Sequence, residues 1–398
     1  MLLSTAKLKI FLALIIVLAA IFANNFWIET IGRPKFILEF TLLFIGALSL
    51  LLIIQNREVP KIPIYIIILL TISTLSSAYN SIIINDIRPF RIFLVTNISI
   101  VSIYLFFFDI KIKTYVDTLT KVLIILSLII IITCLIFEPV TLYRYRGIFD
   151  HPNSMGRVSG YLFLIIFSYT VFFKKSLGIN IIMMVFLFIS FYILLATNSR
   201  TPLFIAMFFI FLAIFIFNSR GLINIFRYTR FKIHYYLFII LLLISSLFLV
   251  NRYVDSGSEM HSSLYENFVY QFVRYPGSYG TSDRIIRWSN AIDNYYSFHG
   301  STEYAEKAYS RIEVHNNYIS QSLKYGVIPS ICFHLLPLII FFKSFFQIVK
   351  TNSKNSIFPL CLSFFLLLYY IFETGAVLAP FWIMIIYDAI LSSRKKIK

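Results

Sequence analysis

The chain has 398 residues, is 59% hydrophobic and only 13% charged, with a mean hydropathy of +0.83. Soluble domains carry about 25% charged residues, so a water-soluble core is excluded and most of the chain belongs in lipid. The net charge of +17 does not point to nucleic acid, because the basic residues are scattered between apolar runs and no RNP, zinc-finger or basic-helix pattern is present.

A spanning helix needs about 20 apolar residues. Twelve such runs are predicted, over 8–28, 36–54, 62–79, 90–108, 115–137, 156–173, 179–196, 201–217, 234–250, 317–342, 356–373 and 375–391. The first follows Lys7 and Lys9, as a secretory leader would. Its apolar run continues through Trp27 and Ile28, long enough to span, so an uncleaved first helix is expected. The runs are rich in β-prone Phe and Ile, but a barrel strand alternates apolar and polar residues. These are apolar on every face, so helices are expected. Cys134, Cys332 and Cys361 lie inside the runs without metal-ligand spacing and read as small packing residues. Glu39, Glu138, Glu373 and Asp388 lie near run ends, and the spans are otherwise almost uncharged, which counts against ion-coupled transport.

Short cytoplasmic loops carry an excess of Lys and Arg. With the N-terminus inside, fifteen of eighteen lysines fall inside while twelve of seventeen arginines fall outside, and both termini are cytoplasmic. The lysines follow the topology rule; the arginines do not. The planar guanidinium grips two phosphate oxygens at once. An outer face with Arg88, Arg91, Arg144, Arg146, Arg157, Arg200, Arg274, Arg284, Arg287 and Arg311 suits a phosphorylated molecule. One long external segment, 251–316, separates the ninth and tenth runs, and long connections are usually functional. It reads as short amphipathic helices over 263–274, 282–296 and 302–313. Its many tyrosines, among them Tyr265, Tyr295 and Tyr304, suit either stacking on sugar rings or the lipid headgroup level.

Four stretches carry candidate chemistry. Arg144 to Arg157 leads into the sixth run; Gly147 and Pro152 break helix, Asn153 or Ser154 can cap the next one, and a helix N-terminus flanked by Arg146 is a ready anion site. His151 beside Asp150 lacks a third ligand at useful spacing for a metal. Thr197 to Pro202 is a very short turn that holds Arg200 at the hydrocarbon edge, where an unpaired charge is costly. Thr281 to Asn290 places Arg284, Arg287 and Trp288 on one helix face. Arg311 to Gly326 contains His315, whose neutral imidazole can take a proton from a hydroxyl, and Asn316 and Asn317, which can hold hydroxyls. The bland alternatives are a capped loop, a snorkelling arginine, a solvated helix and a structural histidine.

Taken together, "GIFDHPNSMG", "NSRTP", "SDRIIRW" and "VHNNYISQSLKYG" resemble the motifs of the O-antigen ligase and polymerase superfamily of bacterial envelope enzymes. The resemblance implies an all-α, GT-C-like membrane glycosyltransferase of about twelve transmembrane helices in the bacterial inner membrane, with one long external loop. It implies a glycan donor on undecaprenyl diphosphate and an acceptor that is another lipid-linked repeat unit (polymerase) or the lipid A core (ligase), and leaves room for a chain-length regulator as partner. It assigns Arg200 and Arg284 to the diphosphate and His315 to the acceptor hydroxyl, with Arg88 or Arg91 as the basic residue of an earlier loop. Arg146, Asn153, Arg287 and Asn316 complete the expected substrate contacts. No Asp-x-Asp metal motif is present, so arginine is expected in place of a metal, with no cofactor. No nucleophile is evident, so direct displacement with inversion is expected. A polysaccharide flippase and a non-catalytic scaffold are the rival classes.

Overall fold

The computed structural model describes residues 5–22, 40–49, 51, 62–107, 112–137, 145–149, 151–173, 177–197, 199–221, 281–307, 314–351, 353–373 and 379–392. The described parts of the predicted runs are helical, 317–342 as two helices, while 234–250 lies outside the described residues; the described residues form no strand. In chain order the helices are α1 (Thr5–Phe22), α2 (Phe40–Ser49), α3 (Ile64–Ile83), α4 (Arg88–Phe106), α5 (Ile112–Phe137), α6 (Pro152–Phe172), α7 (Leu177–Ala196), α8 (Arg200–Gly221), α9 (Thr281–Tyr295), α10 (Thr302–Lys307), α11 (Asn317–Tyr325), α12 (Val327–Thr351), α13 (Ile357–Phe372) and α14 (Ala379–Ser392). Seven are long and apolar enough to cross a membrane: α3, α4, α5, α6, α7, α12, and α13 with the 3-10 turn before it. α1, α2, α8 and α14 contribute shorter apolar stretches.

The chain divides into two compact units, one of Met1–Ile210 with Tyr296–Lys398 and one of Phe211–Tyr295. In the larger unit the centre is α6, α13 and α14. α6 is buried on all faces from Ser154 to Thr170, and α14 from Ala379 to Leu391. A helix apolar all round belongs inside a bundle. α3 is built the other way out. It buries Ile66, Leu70, Ser73, Ser77 and Asn80 and exposes Ile64, Ile68, Ile72, Leu75 and Ile82. Serines on the inward face and branched apolar residues on the outer one suit a helix that faces lipid on one side. The three cysteines are free and buried, as packing residues.

α3 and α12 run antiparallel. At one end Asn80 Nδ2 donates to Tyr325 O at 3.0 Å, and at the other Lys343 Nζ donates to Tyr65 Oη at 3.2 Å. Around that second end Asp388 gathers donors from three other helices. Lys343 Nζ reaches it at 2.7 Å, and the hydroxyls of Tyr65 and Tyr104 also donate to it. Lys343 also donates to Ser392 Oγ at 2.7 Å. The predicted tenth run ends at 342, whereas α12 continues to Thr351 and carries Lys343 against buried Asp388.

The tenth run is also not one helix. It breaks at Gly326, whose φ of +96° lies in the left-handed region that favours glycine, between α11 and α12. In the external segment, the predicted helix 282–296 is α9, and the described part of 302–313 is α10; 263–274 and 308–313 lie outside the described residues. Tyr304 of that segment is fully buried, so it serves neither a sugar nor the headgroups.

Candidate functional site

Three of the four stretches meet in the larger unit. The first begins at Tyr145, whose backbone N–H donates to Ala196 O at 3.0 Å and so ties the loop to the end of α7. Tyr145 and Phe149 are buried, while Arg146 between them is exposed. Gly147 has φ +59°, and a Cβ there would press on Cys134 at 2.8 Å. The α6 cap is His151, whose Nδ1 accepts from Asn153 N at 3.1 Å, and not Asn153 or Ser154. Pro152 explains the shift: its fixed φ and missing N–H suit the first helical position, which makes the preceding residue the cap. Asn153 sits half-buried in the first turn.

The second stretch is seated by two glycines four residues apart, and therefore on one face of α6. A Cβ on Gly156 would collide with Ser199 Cβ, and one on Gly160 would lie 2.8 Å from Pro202 Cβ. Their bare backbones let the turn press onto α6. Arg200 opens α8 beside this contact.

The fourth stretch returns at Val314. His315 has φ +46°, unusual for a residue with a side chain and costing of order 1–3 kcal/mol. Its Nδ1 lies 3.9 Å from Glu373 Oε2, with the two side chains 40% and 14% exposed. Glu373 ends α13, and one turn earlier on that helix the Tyr369 ring lies 5.9 Å from the Arg157 guanidinium carbon. Arg157 is only 8% exposed. An imidazole, a carboxylate and a guanidinium thus line up along the end of α13.

Asn316 and Asn317, the two expected hydroxyl-binding residues, are both engaged within the protein. Asn316 Oδ1 caps α11 by accepting from Ile319 N at 3.1 Å, since an extended residue before a helix is where such a cap forms. Asn317 is fully buried between His334 and Gln321.

His315 sits in a loop closed at its base. Val327 N donates to Phe298 O at 3.0 Å and Ser301 N to Leu323 O at 2.7 Å. Gly300 packs on Gly326, and Asn80 bridges the base, meeting His299 Nδ1 at 2.9 Å as well as Tyr325 O. A Cβ on Gly326 would collide with Asn80 Nδ2. Gly326→Ala should therefore cost roughly 2–4 kcal/mol, from strain and overpacking together. Melting of the detergent-solubilised protein checks this: an Asn80→Ala background should absorb part of the loss, and strict additivity would mean the contact is not made.

The remaining predicted residues are placed apart. Arg88 is committed to Asp86 at 2.7 Å and Glu306 at 3.3 Å, tying α4 to α10, whereas Arg91 extends exposed from the first turn of α4. Arg284 and Arg287 lie on α9 in the smaller unit at the expected helical spacing, with Arg287 exposed. Arg144, Arg274 and Arg311 lie outside the described residues. Among the described residues no three His, Cys, Asp or Glu side chains converge as a metal site would require.

Sequence reasoning did not single out Glu373, Tyr369 or Arg157 as members of one site. Arg157 carried a signal, as the last residue of the first stretch; Glu373 carried only its place at the outer end of the eleventh run. Neither comparison with known proteins, by family or by individual curated sequence, finds a match.

Proposed function

We propose that the protein is a membrane glycosyltransferase of GT-C-like architecture, with twelve spans and both termini in the cytoplasm of a bacterium. It moves a glycan from undecaprenyl diphosphate to a sugar hydroxyl at the outer face of the inner membrane, as a surface-polysaccharide polymerase. The observation that carries this reading is the line His315–Glu373–Tyr369–Arg157, with the Arg200 turn packed on the same helix as Arg157.

Polyprenyl diphosphate is already a good leaving group, so the enzyme must stabilise its charge and orient the attacking hydroxyl. The hydroxyl oxygen bonds to the anomeric carbon as the bond from that carbon to the diphosphate oxygen breaks. The electron pair leaves with the diphosphate, met by arginines, and the hydroxyl proton passes to His315. One displacement inverts the anomeric centre. Arg200 and Arg284 are assigned to the diphosphate, with Arg157 added; Arg91, Arg146, Asn153 and Arg287 are candidate contacts. Arg88, held by two carboxylates, is the weaker choice of the early-loop pair. A chain-length regulator remains a candidate partner. Transport is less favoured, because Asp388 is held by Lys343, Tyr65, Tyr104 and Ser392 and reads as a structural acid rather than a carrier.

A gel of surface glycans from a strain lacking the gene, complemented with wild type or His315→Ala, tests the reading. A ladder collapsing to a single repeat on the acceptor identifies a polymerase. Loss of all surface-linked glycan, with long chains held on undecaprenyl diphosphate, identifies a ligase. Unlinked repeats trapped on the inner side identify a flippase. Arg200→Ala and Arg284→Ala should each slow transfer roughly 100-fold or more, the scale for losing one transition-state donor. Near-normal activity in both would sink the diphosphate assignment.

A further inference from the structure

His315 cannot orient itself. An imidazole that is to accept a proton at one nitrogen must hold its own proton on the other, and which nitrogen carries it is set by the partner that the other meets. The polar side chains that follow it are committed elsewhere. Asn316 caps α11, Asn317 is buried against His334, and the Tyr318 hydroxyl donates to Leu367 O at 3.0 Å. What meets the ring is Glu373, and it does so at Nδ1.

We infer that Glu373 is the positioning residue for His315, fixing the tautomer that carries its proton on Nδ1 and leaves Nε2 open to the acceptor hydroxyl. This rests on the glycosyltransferase reading. Glu373 is anchored through its backbone: it caps the end of α13, where its backbone N–H donates to Tyr369 O at 2.9 Å, and its side chain is 14% exposed against 40% for His315. The imidazole therefore stands between the carboxylate and solvent, where an acceptor sugar arrives. The 3.9 Å separation is longer than a hydrogen bond. Such catalytic contacts are commonly long before substrate binds and tighten in the reacting complex. In the displacement, the hydroxyl proton ends on Nε2 while the electron pair of the broken bond leaves with the diphosphate. The resulting imidazolium is stabilised by the carboxylate at Nδ1. The left-handed backbone of His315 fits the same role, since strain of this kind is kept where a side chain must be aimed.

The test uses the full chain in detergent, labelled with 15N-histidine. The protein has six histidines, and the resonance lost in His315→Ala identifies the right one. For the neutral ring, wild type should show a protonated Nδ1, and Glu373→Ala should shift the population toward a protonated Nε2. In transfer assays, Glu373→Ala should lower kcat roughly 10-fold or more, with KM for the lipid donor unchanged within about twofold. Glu373→Gln, whose amide oxygen still accepts, should recover part of the rate. His315→Ala with Glu373→Ala should be no slower than His315→Ala alone. An unchanged tautomer in Glu373→Ala, or additive losses in the double variant, overturns the inference. Wild-type protein that transfers no glycan overturns the glycosyltransferase reading instead, while the tautomer measurement stands as a separate result.

Discussion

Lys343→Met should destabilise the protein by about 3–5 kcal/mol, the usual cost of stranding one partner of a buried ion pair. Asp388 is 1% exposed and cannot turn to water when its ammonium is removed. The Tyr65 and Tyr104 hydroxyls would remain, but neither carries the compensating charge. Lys343 itself is 22% exposed, so its own desolvation is partial and the loss falls mainly on the stranded carboxylate. The double change Lys343→Met with Asp388→Leu should recover most of the stability, because an apolar pair of similar volume often replaces a buried ion pair at no cost. Melting of the four proteins in one detergent closes the cycle. A single Lys343→Met variant that melts as wild type would show that the pair contributes nothing.

On the glycosyltransferase reading, Arg157→Met should slow transfer roughly 100- to 1000-fold, as expected for the loss of one preorganised donor to a developing anion. The side chain is 8% exposed and lies one helical turn deeper than the His315–Glu373 pair, where a low dielectric strengthens its field. Methionine keeps most of the volume but gives up the charge over the Tyr369 ring and the hydrogen bond to its side chain, so melting is measured beside turnover. Arg157→Lys separates two roles: it preserves the charge but not the planar fork, and should restore only part of the rate. Wild-type turnover in Arg157→Met would remove this residue from the site.

Much of the fold was legible because lipid imposes a coarse rule. Long runs apolar on every face have no alternative to helix, and α3 to α7 fall where hydropathy puts them. What hydropathy does not encode is interruption. Gly326 sits in a run apolar enough to read as one span, and only the positive φ marks the break between α11 and α12. Within the site, His315, Arg200 and the α6 entry stood out because polar residues at a membrane edge carry a visible cost. Glu373 was seen and set aside as an end-of-span charge, since its value lies in a partner 58 positions away (373 minus 315) that proximity in sequence does not reveal. Asn316 was legible only as a residue able to hold a hydroxyl; the same amide can cap a helix, and with the extended backbone ahead of α11 it does.

α3 is tied at both ends, to the close of α11 and to α12, and this has a mechanical consequence. Asn80 holds Tyr325 at one end and Tyr65 meets Lys343 at the other. A helix sliding along its neighbour by a single residue moves about 1.5 Å, enough to break both bonds together. α3 therefore keeps one register, and on the glycosyltransferase reading the motions of a catalytic cycle take place around it as a fixed rail.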